Sequence, residues 1–261
     1  MKNFKTALVL GGGGVRGFAQ IGVLKVLEEM GVKIDIIAGC SMGAVIGYFY
    51  AAGKSPAEIE ALVLKTKIQD FFDISFGSLG IKRTDKAQKI LEDFAGVKLF
   101  EDLKIPLYVN ATNISRGREK IFSTGQIFPA VRASISVPGM FAPYEIDGDF
   151  YIDGGALNQN PFSILPKNNY KYIIVDVSPV DNFRGINSMN LAKVMENSLK
   201  LMQAEISGLK LKELKENDYV IIKPAVEDYS IIQKTKFFAD IIEKGEDEAR
   251  VRKMEIIKLL R

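Results

Sequence analysis

The residues most able to do chemistry in this chain are a serine and the glycines around it. Gly39-Cys40-Ser41-Met42-Gly43 has the G-x-S-x-G spacing that puts a serine on a tight strand-to-helix turn, with its hydroxyl pushed outward as a nucleophile. Such a serine is usually activated by histidine. The 261-residue sequence contains 0 histidines, so an active Ser41 needs another base, and a carboxylate acting directly is the leading candidate.

A second feature lies one unit upstream. Gly11-Gly12-Gly13-Gly14-Val15-Arg16-Gly17 sits between an apolar run and a helical pattern. Glycines let backbone N–H groups approach an anion, and a helix start adds positive partial charge. Pyrophosphate is one candidate anion, since Gly12, Gly14 and Gly17 fit G-x-G-x-x-G. That fingerprint needs an acidic residue near the end of the second strand, where the sequence reads Ala38-Gly39-Cys40-Ser41. No Gly-Lys-[Ser/Thr] follows either. A tetrahedral oxyanion fits better, because two parallel strands joined by one helix bring the loop and Ser41 to the same sheet edge. Arg16 has two readings, support of loop carbonyls or contact with an anionic head group.

The base is less legible. The S-x-x-K at Ser207-Gly208-Leu209-Lys210 lies in a polar helical stretch far from any glycine loop, and it is read as chance. Among the carboxylates, Asp153 stands out because it follows Phe150-Tyr151-Ile152 and precedes Gly154-Gly155. On composition alone a D-G-G triplet is more often a turn than a site. Cys40, beside Ser41, is read as a small packed residue rather than the nucleophile.

In this order G-G-G-x-R-G, G-x-S-x-G and D-G-G resemble the patatin-like phospholipases, lipid acyl hydrolases with a Ser–Asp dyad. The resemblance extends through Arg132-Ala133-Ser134-Ile135-Ser136-Val137-Pro138-Gly139 and through Asn158 and Pro161, and is nearest to the compact bacterial branch. It implies a three-layer α/β/α fold around a mainly parallel sheet, as one domain over residues 1–261. It also implies Ser41 as nucleophile, Asp153 as base, and amides of Gly12, Gly13 and Gly14 as the oxyanion hole, with Gly39 and Gly43 shaping the elbow. The implied substrate is a phospholipid, lysophospholipid or acylglycerol ester. An acyltransferase on the same dyad and a regulatory lipid- or protein-binding protein are the alternatives. Gly11 stands where plant members often carry aspartate.

The elements that must position these residues follow from periodicity. Strands are expected at Thr6–Leu10, Ile34–Ala38, Leu107–Ala111, Glu119–Ser123, Tyr172–Val177 and Tyr219–Ile222. Helices are expected at Phe18–Met30, Met42–Ala52, Ser55–Lys65, Thr84–Ala95, Asn190–Glu216 and Phe237–Leu260. This alternation marks a largely parallel sheet covered by helices. The stretch Lys67–Lys82, rich in phenylalanine, reads as a core-packing loop, with a mobile flap as the alternative. Phe128, Phe141, Phe162 and the stretch Pro138–Tyr144 are weighed as acyl-pocket lining, and core packing is the favoured reading of the phenylalanines.

Composition sets the bounds. Lys+Arg 35 against Asp+Glu 32 leaves a net charge of +3 with no basic run, which gives nucleic acid no footing. One cysteine excludes an intrachain disulfide, and no clustered ligand set asks for a metal or cofactor. The apolar run Ala7–Leu10 is too short for a signal sequence, and no stretch has the length of a membrane span. The expectation is a cytoplasmic protein with at most peripheral contact at the inner membrane face. The Phe237–Leu260 segment is read as a helix docked on the sheet rather than lying on a membrane.

Overall fold

The computed structural model describes residues 4–66, 84–178, 191–230 and 234–261. The Lys67–Lys82 stretch lies outside them. Five strands form a parallel platform in the order β3 (Leu107–Asn113), β2 (Ile36–Gly39), β1 (Lys5–Leu10), β7 (Tyr170–Val175), β8 (Tyr219–Ile222). In β1 the residues from Thr6 to Leu10 are all buried, as a strand covered on both faces requires. Leu8 and Leu10 point to one face and pack with helix α1 (Ala19–Glu29) and helix α2 (Met42–Ala51). Ala7 and Val9 point to the other, with Phe162, Ile164 and Leu165. The period-2 alternation of a strand thus divides one run of apolar residues between two cores.

Helix boundaries follow their local chemistry. Helix α3 (Pro56–Lys65) begins with a reciprocal capping box between Ser55 and Glu58, and proline occupies its first turn. Helix α4 (Thr84–Ala95) spans the expected residues. The expected terminal helix is two, α7 (Phe238–Val251) and α8 (Lys253–Leu259), with a break at Arg252. It docks against the core: Phe238, Ile241, Ile242 and Ile256 are buried. Helix α7 crosses α1 at backbone contact, for a Cβ on Gly22 would lie 2.0 Å from the Ile242 carbonyl and one on Gly245 1.8 Å from that of Ala19. Helix α6 (Leu191–Leu211) ends before the expected Glu216.

Three elements were not legible in the sequence: a helix α5 (Ile127–Ser134), and strands β5 (Tyr144–Ile146) and β6 (Asp149–Asp153), which form a hairpin. They decide the geometry of the site. Strand β3 pairs with β2 through Val109↔Gly39 and with β6 through Ala111↔Asp153. Those same two residues pair on the other side with Phe122 and Lys120 of the antiparallel strand β4 (Arg118–Phe122). So β2 and β6 share one flank of β3, running toward each other. Gly39 ends the one and Asp153 ends the other, two residues apart along β3.

Candidate functional site

Strands β1, β2 and β7 end level, at Leu10, Gly39 and Val175. The glycine loop, the serine turn and the segment after β7 therefore leave the sheet at one edge. Ser41 has φ 53° and ψ −122°, a sparsely populated region for a residue with a side chain, and it is buried. Three contacts hold it there. Its amide donates to Ser134 Oγ at 2.8 Å. A Cβ on Gly43 would lie 2.0 Å from the Leu10 carbonyl oxygen, so glycine alone lets α2 start this close to β1. A Cβ on Gly39 would lie 2.6 Å from the Gly43 carbonyl oxygen, so the turn closes only without side chains on either side.

Asp153 arrives from the opposite direction. Its backbone is pinned, with its amide donating to the Ser136 carbonyl at 2.9 Å and its carbonyl accepting from Thr112 Oγ1 at 3.1 Å. Its carboxylate accepts from the Gly155 amide at 2.7 Å, and the Ser41 side chain is close enough to lower its pKa. Cys40 Sγ donates to the same oxygen at 3.9 Å. Burial pushes the carboxyl up to about 6, against the lowering effect of these three donors. Burial, and then the charge of Asp153, push the Cys40 thiol up, so this cysteine is a packed donor and not a nucleophile.

Behind Asp153 the Gly154-to-Asn158 turn is stitched to β3 and β4. Asn110 Nδ2 donates to the carbonyls of Gly154 and Asn158 at 3.3 and 3.0 Å, and Glu119 Oε1 accepts from Asn110 and Asn158 at 2.9 Å each. Both Asn110 and Asn158 are buried.

The glycine loop faces this pair. The ideal Cβ position of Gly12 lies 3.1 Å from Ser41 Cβ, which puts the loop against the Ser41 turn. The expectation of three amide donors needs correction here. The Gly12 amide donates to the Gln159 carbonyl at 3.1 Å, so it is already committed to holding the loop. The amides of Gly13 and Gly14 meet no acceptor among the described residues. Arg16 is buried and its Nε donates to the Gly13 carbonyl at 3.4 Å, which is the loop-support reading. Gln20 Nε2 donates to the Gly11 carbonyl at 2.6 Å, a contact the sequence did not announce.

A small apolar void of about 10 Å³ lies in the core beside Met42, the residue after Ser41. Met42, Val45, Ile46 and Phe49 follow one another at helical spacing along α2 and line it with Phe18, Val63, Leu91 and Ile135. Of the phenylalanines weighed as pocket lining, Phe128 and Phe162 are buried in the two cores instead. Phe141 lies under the Arg132 guanidinium, 5.7 Å from its ring centre.

A strained serine at the carboxyl edge of a parallel sheet, a buried aspartate meeting it head-on and a glycine loop beside both is the arrangement to compare with known proteins. The sequence profile of the patatin-like phospholipases matches residues 8–166. The chain belongs to the patatin-like phospholipase family. An uncharacterised NTE family protein of Mycobacterium tuberculosis is 40% identical over 161 residues, covering 61% of this chain and 45% of that protein. A lysophospholipase NTE1 of Cryptococcus neoformans is 35% identical over 188 residues, covering 67% of this chain and 11% of the fungal protein. This patatin-like chain thus spans less than half the length of either relative. The fold is shared with VipD from Legionella pneumophila, at a TM-score of 0.55 and 15% identity over 96% of this chain and 66% of that one.

Ser134 and Ser136 are the site residues that sequence reasoning passed over. Both lie in a stretch that carries the family resemblance, yet nothing in it signalled a role. Ile127, Phe128 and Val131 are too short an apolar series for periodicity to mark α5, so Ser134 at its end carried no signal of its own.

Proposed function

We propose that this chain hydrolyses carboxylic esters of lipids, with Ser41 as nucleophile and Asp153 as the base that serves it. The observation that carries this reading is that β2 and β6 run toward each other along β3 and end at the Ser41 turn and at Asp153, a buried carboxylate pushed up to about 6. A carboxylate near that value is a better proton acceptor than an exposed aspartate, and it is still ionised at neutral pH. Asp153 takes the proton as Ser41 Oγ attacks the ester carbonyl. The amides of Gly13 and Gly14, with the start of α2, stabilise the oxyanion, while Gly12 holds the loop in place. Protonated Asp153 then donates to the leaving alcohol, and the same carboxylate activates water to clear the acyl-enzyme.

The family and its NTE1 lysophospholipase relative support a phospholipid, lysophospholipid or acylglycerol as substrate. Among the described residues no helix is long and apolar enough to cross a membrane, so we place contact with the lipid at the surface. The test compares wild type, Ser41→Ala and Asp153→Asn on a medium-chain p-nitrophenyl ester and a fluorescent phospholipid. The expected loss in both variants is about 10⁴-fold or more. Turnover surviving Ser41→Ala would sink the reading, and products formed with an added alcohol acceptor would shift it toward acyl transfer.

A further inference from the structure

A second cavity, of about 170 Å³, lies beside the segments that follow the D-G-G turn and β7. Its wall is formed by Gln159 and Asn160 after the D-G-G turn, Asp176 and Ser178 after β7, Lys223 after β8, and the face of α6 that carries Gln203, Ala204 and Ser207. Neither Ser41, Asp153, Gly13 nor Gly14 lines it. At its base Asn160 is buried, 3% exposed, and its Oδ1 has no hydrogen-bond partner.

We propose that this cavity binds a small uncharged polyol, and that its occupancy acts on the ester site. The wall chemistry selects that class. Amides and hydroxyls supply both donors and acceptors, one carboxylate and one ammonium offset each other in charge, and Leu211 and Ile221 face a carbon skeleton. The volume exceeds several times what one water requires.

Two physical links run from the wall to the reacting groups. Ser178 Oγ donates to the Gly12 carbonyl at 3.2 Å, and Gln159 Nε2 donates to the same oxygen. Gly12 is the residue that fixes the glycine loop against Ser41. The second link is Gly155, whose amide holds the Asp153 carboxylate: the ideal Cβ position of Gly155 lies 2.1 Å from Gln159 Oε1 and 3.2 Å from Gln203 Nε2. A ligand that orders Gln159, Gln203 and Ser178 therefore stiffens both the oxyanion loop and the base. Binding stands independently of the hydrolase reading; the effect on turnover rests on it.

The test is ligand-observed NMR titration of the whole chain with glycerol and erythritol, with glycerol 3-phosphate in parallel. Two variants narrow the cavity from α6. Ala204→Phe fills it, and Gly208→Gln places a side chain at its mouth, where a Cβ on Gly208 meets nothing within 4 Å. Saturable polyol binding is expected in wild type, weakened about tenfold or more in both variants while their thermal melts stay cooperative. Ester turnover should change about twofold or more at saturation in wild type and not in the variants, which separates the cavity from any use of the polyol as acyl acceptor. No saturable binding, or equal affinity in a folded variant, overturns the site. Tighter binding of glycerol 3-phosphate overturns the polyol class. Binding without ester turnover leaves the cavity standing and removes the hydrolase reading.

Discussion

Among the described residues two non-glycine positions have positive φ, Ser41 at 53° and Asp147 at 51°. They reach it by opposite means. Asp147 precedes Gly148, also at positive φ, and the two residues join β5 to β6 in a turn that aspartate–glycine adopts from its own preferences. Ser41 has no such local help. Its conformation is imposed by the Ser134 hydroxyl, by the start of α2 and by glycines that let three backbones converge. A turn that sequence alone can make is structural, whereas a turn that only the assembled fold can hold stores strain where the proposed chemistry occurs.

That contrast can be broken or sharpened by experiment. The largest effect is expected at the partner of the strained serine. Burial holds Asp153 well above the usual carboxylate range, so the folded state binds its proton more tightly than the unfolded chain does. Its contribution to stability is therefore present below the ordinary aspartate value near 4 and lost as pH rises through about 6. Asp153→Asn should abolish turnover yet stabilise the fold at pH 8 by up to about 3 kcal/mol, a gain that shrinks toward pH 4. Denaturant melts at the two pH values measure it, and a variant less stable at pH 8 would contradict it. In wild type, kcat/KM should rise with pH through about 6 and then level, since the base must be ionised.

Next in size is Ser134→Ala. It leaves the buried Ser41 amide without its acceptor, at a cost of about 1–3 kcal/mol, and it should lower kcat more than it raises KM. Unchanged kcat in a folded variant would show that the elbow holds without Ser134. The smallest effects sit at the two positive-φ residues themselves. Ser41→Gly releases strain worth about 1–3 kcal/mol against about 0.5–1 kcal/mol of added backbone freedom, so a net gain of about 1 kcal/mol is expected. Asp147→Gly should change stability by within about 0.5 kcal/mol, because aspartate already tolerates that turn. Equal responses at both positions would erase the distinction.

What the sequence determined by itself is local. The apolar run from Ala7 to Leu10, the helical pattern of Ser55–Lys65 and the G-x-S-x-G spacing act over a few residues, so the parallel platform, most helices and Ser41 could be read directly. The family resemblance pointed to Asp153, but its place beside Ser41 was a tertiary decision, because it depends on β6 entering β3 from the side that β2 vacates. The short strands β5 and β6 and the eight-residue α5 carry too few apolar residues for periodicity to reveal them. Burial likewise could not be read from D-G-G, and burial is what lifts the carboxyl toward 6. The division of labour among the glycines was decided only by folding. Gly12 gives its amide to Gln159, and Gly13 and Gly14 do not, because a residue 147 positions away in the chain comes to lie against the loop.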